Sequence, residues 1–405
     1  MTILNIGILA HVDAGKTSLT ERLLFETGAI DRLGSVGAGT TQTDTGDIER
    51  ERGITIRSAV AYFTTGGLQV NLIDTPGHVD FIAEVERALQ VLDAVVLVVS
   101  AVEGVQAQSR VLMATLRRAG IPVLIFANKI DRAGARQDEL LTGLRSRLAP
   151  RIIPLNTVEG IGTSAARATE HTLADPDFHT LVTDLLSMND DGLLTRLVQD
   201  RPPSHAELWT GVADQTATGL VHPVVFGSAR TGEGIGTLLD GITRFLPIPA
   251  ATPADAPPCG TVFAIERGRA GEKICCLRLF TGTVGRGDRL TFHRREADGR
   301  TAEYQGRVTE LAVVGPAKPP SATGTATGTV RPAAVRAGRS GGTAAGAPVA
   351  GAGSIARLRG LSEIRVGDRL GAPERGGEQA GFTPPALDVV VRPKDPGTAP
   401  GCTRP

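Results

Sequence analysis

At 405 residues the chain is too long for one ordinary domain, so two or three units, each able to bury its own core, are expected. Its 43 basic and 43 acidic residues cancel, which excludes a global pull toward nucleic acid or anionic lipid and leaves any RNA contact to local patches. Four cysteines without metal-type spacing and an amino terminus unlike a secretory signal point to a cytoplasmic protein; the longest apolar run, 94–99, is far short of the roughly 20 residues of a membrane helix, so neither DNA nor a membrane is an expected partner.

From residue 3 to about 246, short β-rich apolar runs alternate with helical patterns, the signature of an α/β fold with a mostly parallel sheet covered on both faces. Strands are expected at 5–10, 59–64, 69–73, 94–99, 123–127 and 224–226. Four of these ends run straight into a motif, and ligands of open α/β sheets bind outside the carboxyl ends of strands, so the motifs should share one rim. Between about 158 and 221 the apolar strands give way to mixed helical and polar text, with Asp175-Pro176-Asp177 and Arg201-Pro202-Pro203 as breakers; an inserted subdomain is expected there. The Pro-rich stretch 247–258 reads as a linker that closes a first domain of residues 1–248.

From 259 to 372 the pattern changes to short alternating strands, at 260–266, 274–280 and 307–313, with Gly-rich turns such as Gly285-Arg286-Gly287-Asp288, and an all-β barrel is the expected product. Within it, 316–352 is dominated by Ala, Gly, Thr, Pro and Ser and is expected to be a disordered loop. Adjacent Cys275 and Cys276 should point to opposite faces of a strand, one packing and the other there by chance. Arg294-Arg295 reads as a solvated face, with RNA contact as the alternative. Residues 383–405 look like the stub of a third domain, with no core pattern after 394.

The loop Ala10-His11-Val12-Asp13-Ala14-Gly15-Lys16-Thr17 lies between an apolar strand and the helical pattern of 18–24, the setting a phosphate loop (P-loop) requires. Its backbone N–H groups would cradle phosphates, Lys16 would reach the β and γ phosphates as a point charge, and the Thr17 hydroxyl would ligate Mg2+. The chain has only five lysines, so finding two of them at Lys16 and Lys129, inside motifs, is informative. Asp74-Thr75-Pro76-Gly77-His78 follows another strand; Asp74 would hold Mg2+ through a water and the Gly77 N–H would meet the γ phosphate, while capping of a helix from residue 79 is the competing reading of Asp74.

Asn128-Lys129-Ile130-Asp131 names the base. A carboxylate at Asp131 can accept both the N1–H and the exocyclic N2–H of guanine, whereas adenine offers an acceptor at N1 and repels it, which argues for GTP/GDP over ATP. Asn128 would orient the loops and bond the base, the Lys129 stem would pack over its face, and backbone donors of Gly227-Ser228-Ala229 would meet the guanine oxygen; a polar turn after a strand is the bland alternative. Arg52-Gly53-Ile54-Thr55-Ile56 follows the polar segment 40–51. If the Thr55 hydroxyl binds Mg2+ only while the γ phosphate is present, this segment is an order–disorder switch.

With Asn5-Ile6-Gly7-Ile8-Leu9 ahead of the phosphate loop, these elements resemble the translational GTPases. The long interval before Gly227 is similar to elongation factor G rather than elongation factor Tu, and Gly34-Ser35-Val36-Gly37-Ala38-Gly39-Thr40-Thr41-Gln42-Thr43-Asp44 resembles the tetracycline-resistance ribosomal protection proteins. The resemblance implies a monomeric GTPase that docks on the ribosome, touches ribosomal RNA and proteins, hydrolyses GTP to GDP and phosphate there, and dislodges tetracycline. It also implies that His78 positions the attacking water, that Val12 and Ile54 form an apolar gate, and that Asp13 assists near Mg2+ and the phosphates. Family members continue into further domains, including the one that reaches the drug site. A GTP-binding remnant without protective activity, and an elongation or release factor of the G type, are therefore the alternatives.

Overall fold

The structure, a computed structural model, describes residues 2–34, 59–74, 85, 88–249, 253, 255–268, 271–296, 300–316 and 348–371. Its first sheet has the strand order β2 (Ala59–Thr65), β3 (Leu68–Asp74), β1 (Thr2–Ala10), β4 (Ala94–Ser100), β5 (Val123–Asn128), β9 (His222–Phe226), β6 (Ile152–Pro154). All neighbours pair in parallel except β2 with β3, which form an antiparallel edge. The short seventh strand β6 was not among the sequence expectations.

β4 shows why this sheet is central. All seven positions are buried; Ala94, Val96 and Val98 enter one apolar cluster and Val95, Leu97 and Val99 the other, so helices cover both faces. Each such aliphatic side chain contributes about 1.5–3 kcal/mol by leaving water. Helices α1 (Lys16–Glu26), α2 (Ala107–Arg118), α3 (Gln137–Arg147) and α7 (Ile235–Phe245) supply the facing side chains, Leu19 and Ile242 on one side and Leu116 and Leu144 on the other. The interval 158–221 holds most of a polar hairpin, β7 (Asn156–Glu159) with β8 (Arg167–Glu170), and helices α4 (Pro176–Ser187), α5 (Asp191–Val198) and α6 (His205–Ala217). Asp175 caps α4 through the Asp177 N–H, with Pro176 at the first helical position, and Ser204 with Glu207 forms a capping box on α6. Phe178, Val182, Leu208 and Val212 join the same apolar cluster as β1 and α1, so these helices share the core of the sheet.

The second sheet is antiparallel, in the order β14 (Thr301–Arg307), β13 (Arg289–Arg295), β18 (Arg369–Leu370), β10 (Cys259–Arg267), β11 (Lys273–Thr281), β17 (Ile355–Arg359), β15 (Glu310–Val313). Only Val308 and Thr309 separate β14 from β15, although they are the two edges. Three Cα steps span at most about 11 Å, whereas the edges of a flat seven-stranded sheet would lie about 29 Å apart, so the sheet curls into a barrel. The strand expected at 307–313 is therefore broken at Val308, whose side chain is buried in the barrel core and whose N–H donates to the Asp288 carbonyl. The expected loop 316–352 ends earlier than its composition suggests: Val349–Gly351 is strand β16, paired with β12 (Thr283–Gly285), and Ala350 is fully buried in the barrel core. Residues 317–347 and 372–405, including the expected stub, lie outside the described residues.

Both cysteines of the adjacent pair pack, which corrects the expectation that one is there by chance. Cys275 points into the barrel core, and Cys276 joins Phe263, Val314 and Ile355 against Ile73, Ala88 and Val91 of the first unit. Burial pushes both thiols up, that of Cys276 to about 12. A polar network crosses the same contact. Asp93 accepts from Arg278 Nη2 at 2.9 and 3.1 Å and from the Asn5 backbone N–H and Nδ2 at 2.7 and 2.9 Å. Asn5 Oδ1 accepts from Asn71 Nδ2, Asn71 Oδ1 accepts from Gln69 Nε2, and Gln69 Nε2 also donates to the Val314 carbonyl. Arg294 is likewise not a solvated-face residue: its guanidinium donates to both oxygens of buried Asp368, at 2.8 and 2.7 Å.

Candidate functional site

The parallel register brings the motifs to one rim. Ile8 of β1 pairs with Asp74, the last residue of β3; Ser100 pairs with Asn128 at the end of β5; and Ala127 pairs with Phe226 at the end of β9. At the end of β1, Ala10 is buried and its methyl is accommodated. The chain then turns through Asp13, at φ 64°, and Gly15, at φ 97°, before α1 begins. Gly15 has no side chain with which to cap α1 and the first turn carries no acidic residue, so its positive dipole end and the amides of Thr17 and Ser18 suit an anion. His11 turns inward, with Nδ1 3.0 Å from Ser109 Oγ, and burial lowers its proton affinity. Val12 is 41% exposed at the crest of the loop, Asp13 is exposed and Ala14 is buried.

The Lys16 ammonium is buried and ion-paired with Asp74 Oδ1. The charge of the phosphate loop and the carboxylate of the second motif therefore meet at one point, with the Thr17 hydroxyl in the same turn. Asn128 ties this half of the site to the other: Nδ2 donates to the Ala14 carbonyl at 2.8 Å, and Oδ1 accepts from the Ala229 N–H at 2.9 Å. A Cβ on Gly15 would lie 2.3 Å from Asn128 Nδ2, so glycine is required there for space as well as for φ. Lys129, at φ 71°, places its ammonium 3.0 Å from Glu103 Oε1, which stretches the stem along the rim. Asp131 is 7% exposed; Oδ1 accepts from Ser228 Oγ at 2.6 Å and Oδ2 from Arg230 Nε at 2.9 Å.

One sequence expectation needs correction. The Gly227 N–H donates to Ala127, the Ser228 N–H to Glu233 and the Ala229 N–H to Asn128, so the three backbone donors expected to meet a base are engaged within the chain. Among the described residues the Arg230 N–H is the one in this turn without an acceptor. Arg230, Glu103, Ser109 and Arg22 all touch the site; none stands in a recognisable motif, and nothing in the sequence pattern signals them. Thr55, Thr75, Pro76, Gly77 and His78, with Ile54, lie outside the described residues.

A family model described as the elongation factor Tu GTP-binding domain matches residues 1–248. The chain belongs to that GTP-binding family. Among curated proteins it is similar to an oxytetracycline resistance protein of Streptomyces rimosus, with 51% identity over 98% of this chain and 57% of the relative. A tetracycline resistance protein TetM of Streptomyces lividans is 50% identical over the same shares. A crystal structure of a protein from Thermus thermophilus superimposes with a TM-score of 0.73 at 26% identity, covering 96% of this chain and 56% of that one. The chain thus spans little more than half the length of the curated relatives it matches first. In it the GTP-binding domain is joined to an antiparallel barrel.

The oxygen donors of this GTP-binding domain suit Mg2+. That ion takes one or two protein oxygens and completes its shell with phosphates and water rather than with a protein cage. Thr17 and Asp74 offer such oxygens, and no cluster of three His, Cys, Asp or Glu exists among the described residues. No helix among them is long and apolar enough to cross a membrane.

Proposed function

We propose that the chain binds GTP and GDP with Mg2+, hydrolyses GTP when stimulated by the ribosome, and acts in ribosomal protection against tetracycline. The proposed division is a GTP-binding unit over 1–248 with an insert over 158–221, a barrel over 259–372, and a monomer in solution. The single observation that carries the guanine reading is Asp131, held nearly buried at the rim by Ser228 and Arg230, with lone pairs left to accept N1–H and N2–H. Its neighbour Asn128 fixes the distance between base and phosphate sites by bonding both loops.

In this reading the amides of the phosphate loop, over Ala10, His11, Val12, Asp13, Ala14, Gly15, Lys16 and Thr17, bind and orient the phosphates. Lys16 holds the β and γ oxygens; its ion pair with Asp74 supports placing the two motifs at one phosphate site. Thr17, Asp74 and Thr55 would hold Mg2+, which would supply charge neutralisation to the phosphates. Thr75, Pro76 and Gly77 contribute to nucleotide binding, with the Gly77 N–H for the γ phosphate; His78 positions the attacking water, Asp13 assists beside the phosphates, and Lys129, Ser228 and Ala229 hold the base site. Alignment and charge stabilisation suffice for phosphoryl transfer, so slow turnover without the ribosome is expected.

Titration of the purified chain with GDP, GTP and ATP in Mg2+ tests the core of this proposal: strong discrimination against ATP is expected, and equal affinity would overturn it. A ribosome-dependent rise in phosphate release, abolished in His78→Ala with GDP binding intact, tests the hydrolytic part. Growth in tetracycline of cells producing this chain tests protection.

A further inference from the structure

Arg22 lies on α1, six residues beyond Lys16, and is 8% exposed. All three of its guanidinium nitrogens are used. Nε donates to the Ala229 carbonyl at 2.8 Å, Nη2 donates to the Arg230 carbonyl, and Nη1 donates to Glu26 Oε1 at 3.1 Å, which fixes the plane of the group. The turn carrying these carbonyls comes close enough that a Cβ on Gly232 would lie 3.1 Å from Glu26 Oε1 and 3.5 Å from Arg22 Nη1.

A trans peptide is planar, with its C=O and N–H pointing in opposite directions. The carbonyl of Ala229 and the N–H of Arg230 belong to one peptide. Arg22 holds the carbonyl end, so the N–H end is aimed away from α1, and that N–H is the donor in the turn with no acceptor among the described residues. On the same turn Ala229 N, Ser228 Oγ and Arg230 Nε reach Asn128 and Asp131. A cation on the carbonyl oxygen also polarises the peptide and strengthens its N–H as a donor.

We infer that Arg22 is a positioning residue for base recognition, acting through the 229–230 peptide to present the Arg230 N–H to the 6-oxo group of guanine. The inference rests on the guanine reading above and adds a second discriminator, since adenine carries an amine at that position and would set donor against donor. It also links the two halves of the site, because the helix that starts at the phosphate loop sets the aim of the base loop.

The test is competitive binding of GDP, 6-thio-GDP, IDP and ADP to the full chain and to its Arg22→Lys and Arg22→Met variants. The thio analogue keeps N1–H and the 2-amino group but replaces the 6-oxygen by a poor acceptor; IDP keeps the oxygen and lacks the 2-amino group. The wild type should favour GDP over 6-thio-GDP by about tenfold, the worth of one good hydrogen bond. Arg22→Met should bring that ratio close to one, Arg22→Lys should recover part of it, and the GDP to IDP ratio should stay within about twofold in both, since Asp131 is untouched. Arg22→Lys carries the test alone if Arg22→Met does not fold. An unchanged GDP to 6-thio-GDP ratio, with all affinities falling together, would overturn the inference while leaving the guanine reading intact. A wild type that does not prefer GDP to ADP would overturn the guanine reading itself.

Discussion

Two polar networks lie in the same parallel sheet and use the same residue types, yet they do different work. At the carboxyl ends of β1, β5 and β9, Asn128 and Asp131 bond backbone and side chains of neighbouring loops and leave lone pairs at the rim. Within β1 and β3, Asn5, Asn71 and Gln69, with Asp93 just ahead of β4, are bonded to one another and to the barrel through Arg278 and the carbonyls of Val314 and Gly353. The first network is open and suited to a ligand. The second is closed, and it joins two units. Buried Asn and Asp do not announce a site by type; their place along the strand decides.

Removing Arg278 should separate the two networks most sharply. Arg278→Met would leave Asp93 without its cation in a contact where the arginine side chain is only 2% exposed, and unfolding in urea should show a loss of about 3–5 kcal/mol. Adding Asp93→Asn, which removes the unpaired charge but keeps an acceptor for Asn5, should recover a large part, and GDP affinity should hardly change in the folded fraction of either variant. If GDP affinity fell with stability, the two networks would not be independent. Asp131→Ala makes the opposite cut: GDP affinity should fall at least about 100-fold, as expected when a site loses its partner for two base N–H groups, with a smaller effect on unfolding. Loss of fold without loss of selectivity would assign Asp131 to the second kind of network.

The smallest effect concerns His222, which opens β9 at the end of the sheet away from the rim. Burial lowers its pKa to about 4. The unfolded chain therefore takes up a proton first as pH falls below about 6.5, and the folded chain follows only near pH 4, so the stability tied to neutral His222 is complete above pH 7 and is lost between those values. By pH 5 the loss should reach about 2 kcal/mol. Melting temperatures from pH 7 to 5 should fall less steeply in His222→Gln than in the parent, with GDP affinity at pH 7 unaltered. Parallel slopes would place the acid sensitivity elsewhere.

The open network was legible in the sequence and the closed one was not, and separation along the chain is the reason. Asn128 and Asp131 sit three residues apart directly after an apolar strand, a local pattern that carries its own chemistry. Asn5, Asp93 and Arg278 acquire meaning only when β1, β4 and β11 are folded, and no local pattern joins them. The central strands were legible because β4 and β5 are unbroken apolar runs. The three-residue β6 was missed, and the run at 307–313 concealed a barrel corner because the buried Val308 keeps the alternation going through the break. Cys276 looked idle because the surface that covers it belongs to residues about 185–200 positions earlier. The acceptors already engaged by the Gly227, Ser228 and Ala229 N–H groups were not legible either, since only the folded turn brings Ala127, Glu233 and Asn128 to them.

Gly353 and Val314 bracket the stretch 317–347, and their carbonyls are fastened to Asn5 and Gln69 of the first unit. A segment whose two ends are clamped by the scaffold can change length at little thermodynamic consequence, because each doubling adds only about 0.6 kcal/mol of closure entropy. That makes this stretch a natural port for cargo. A fluorescent protein or affinity tag inserted there should ride on the barrel while leaving both the junction and the nucleotide rim undisturbed.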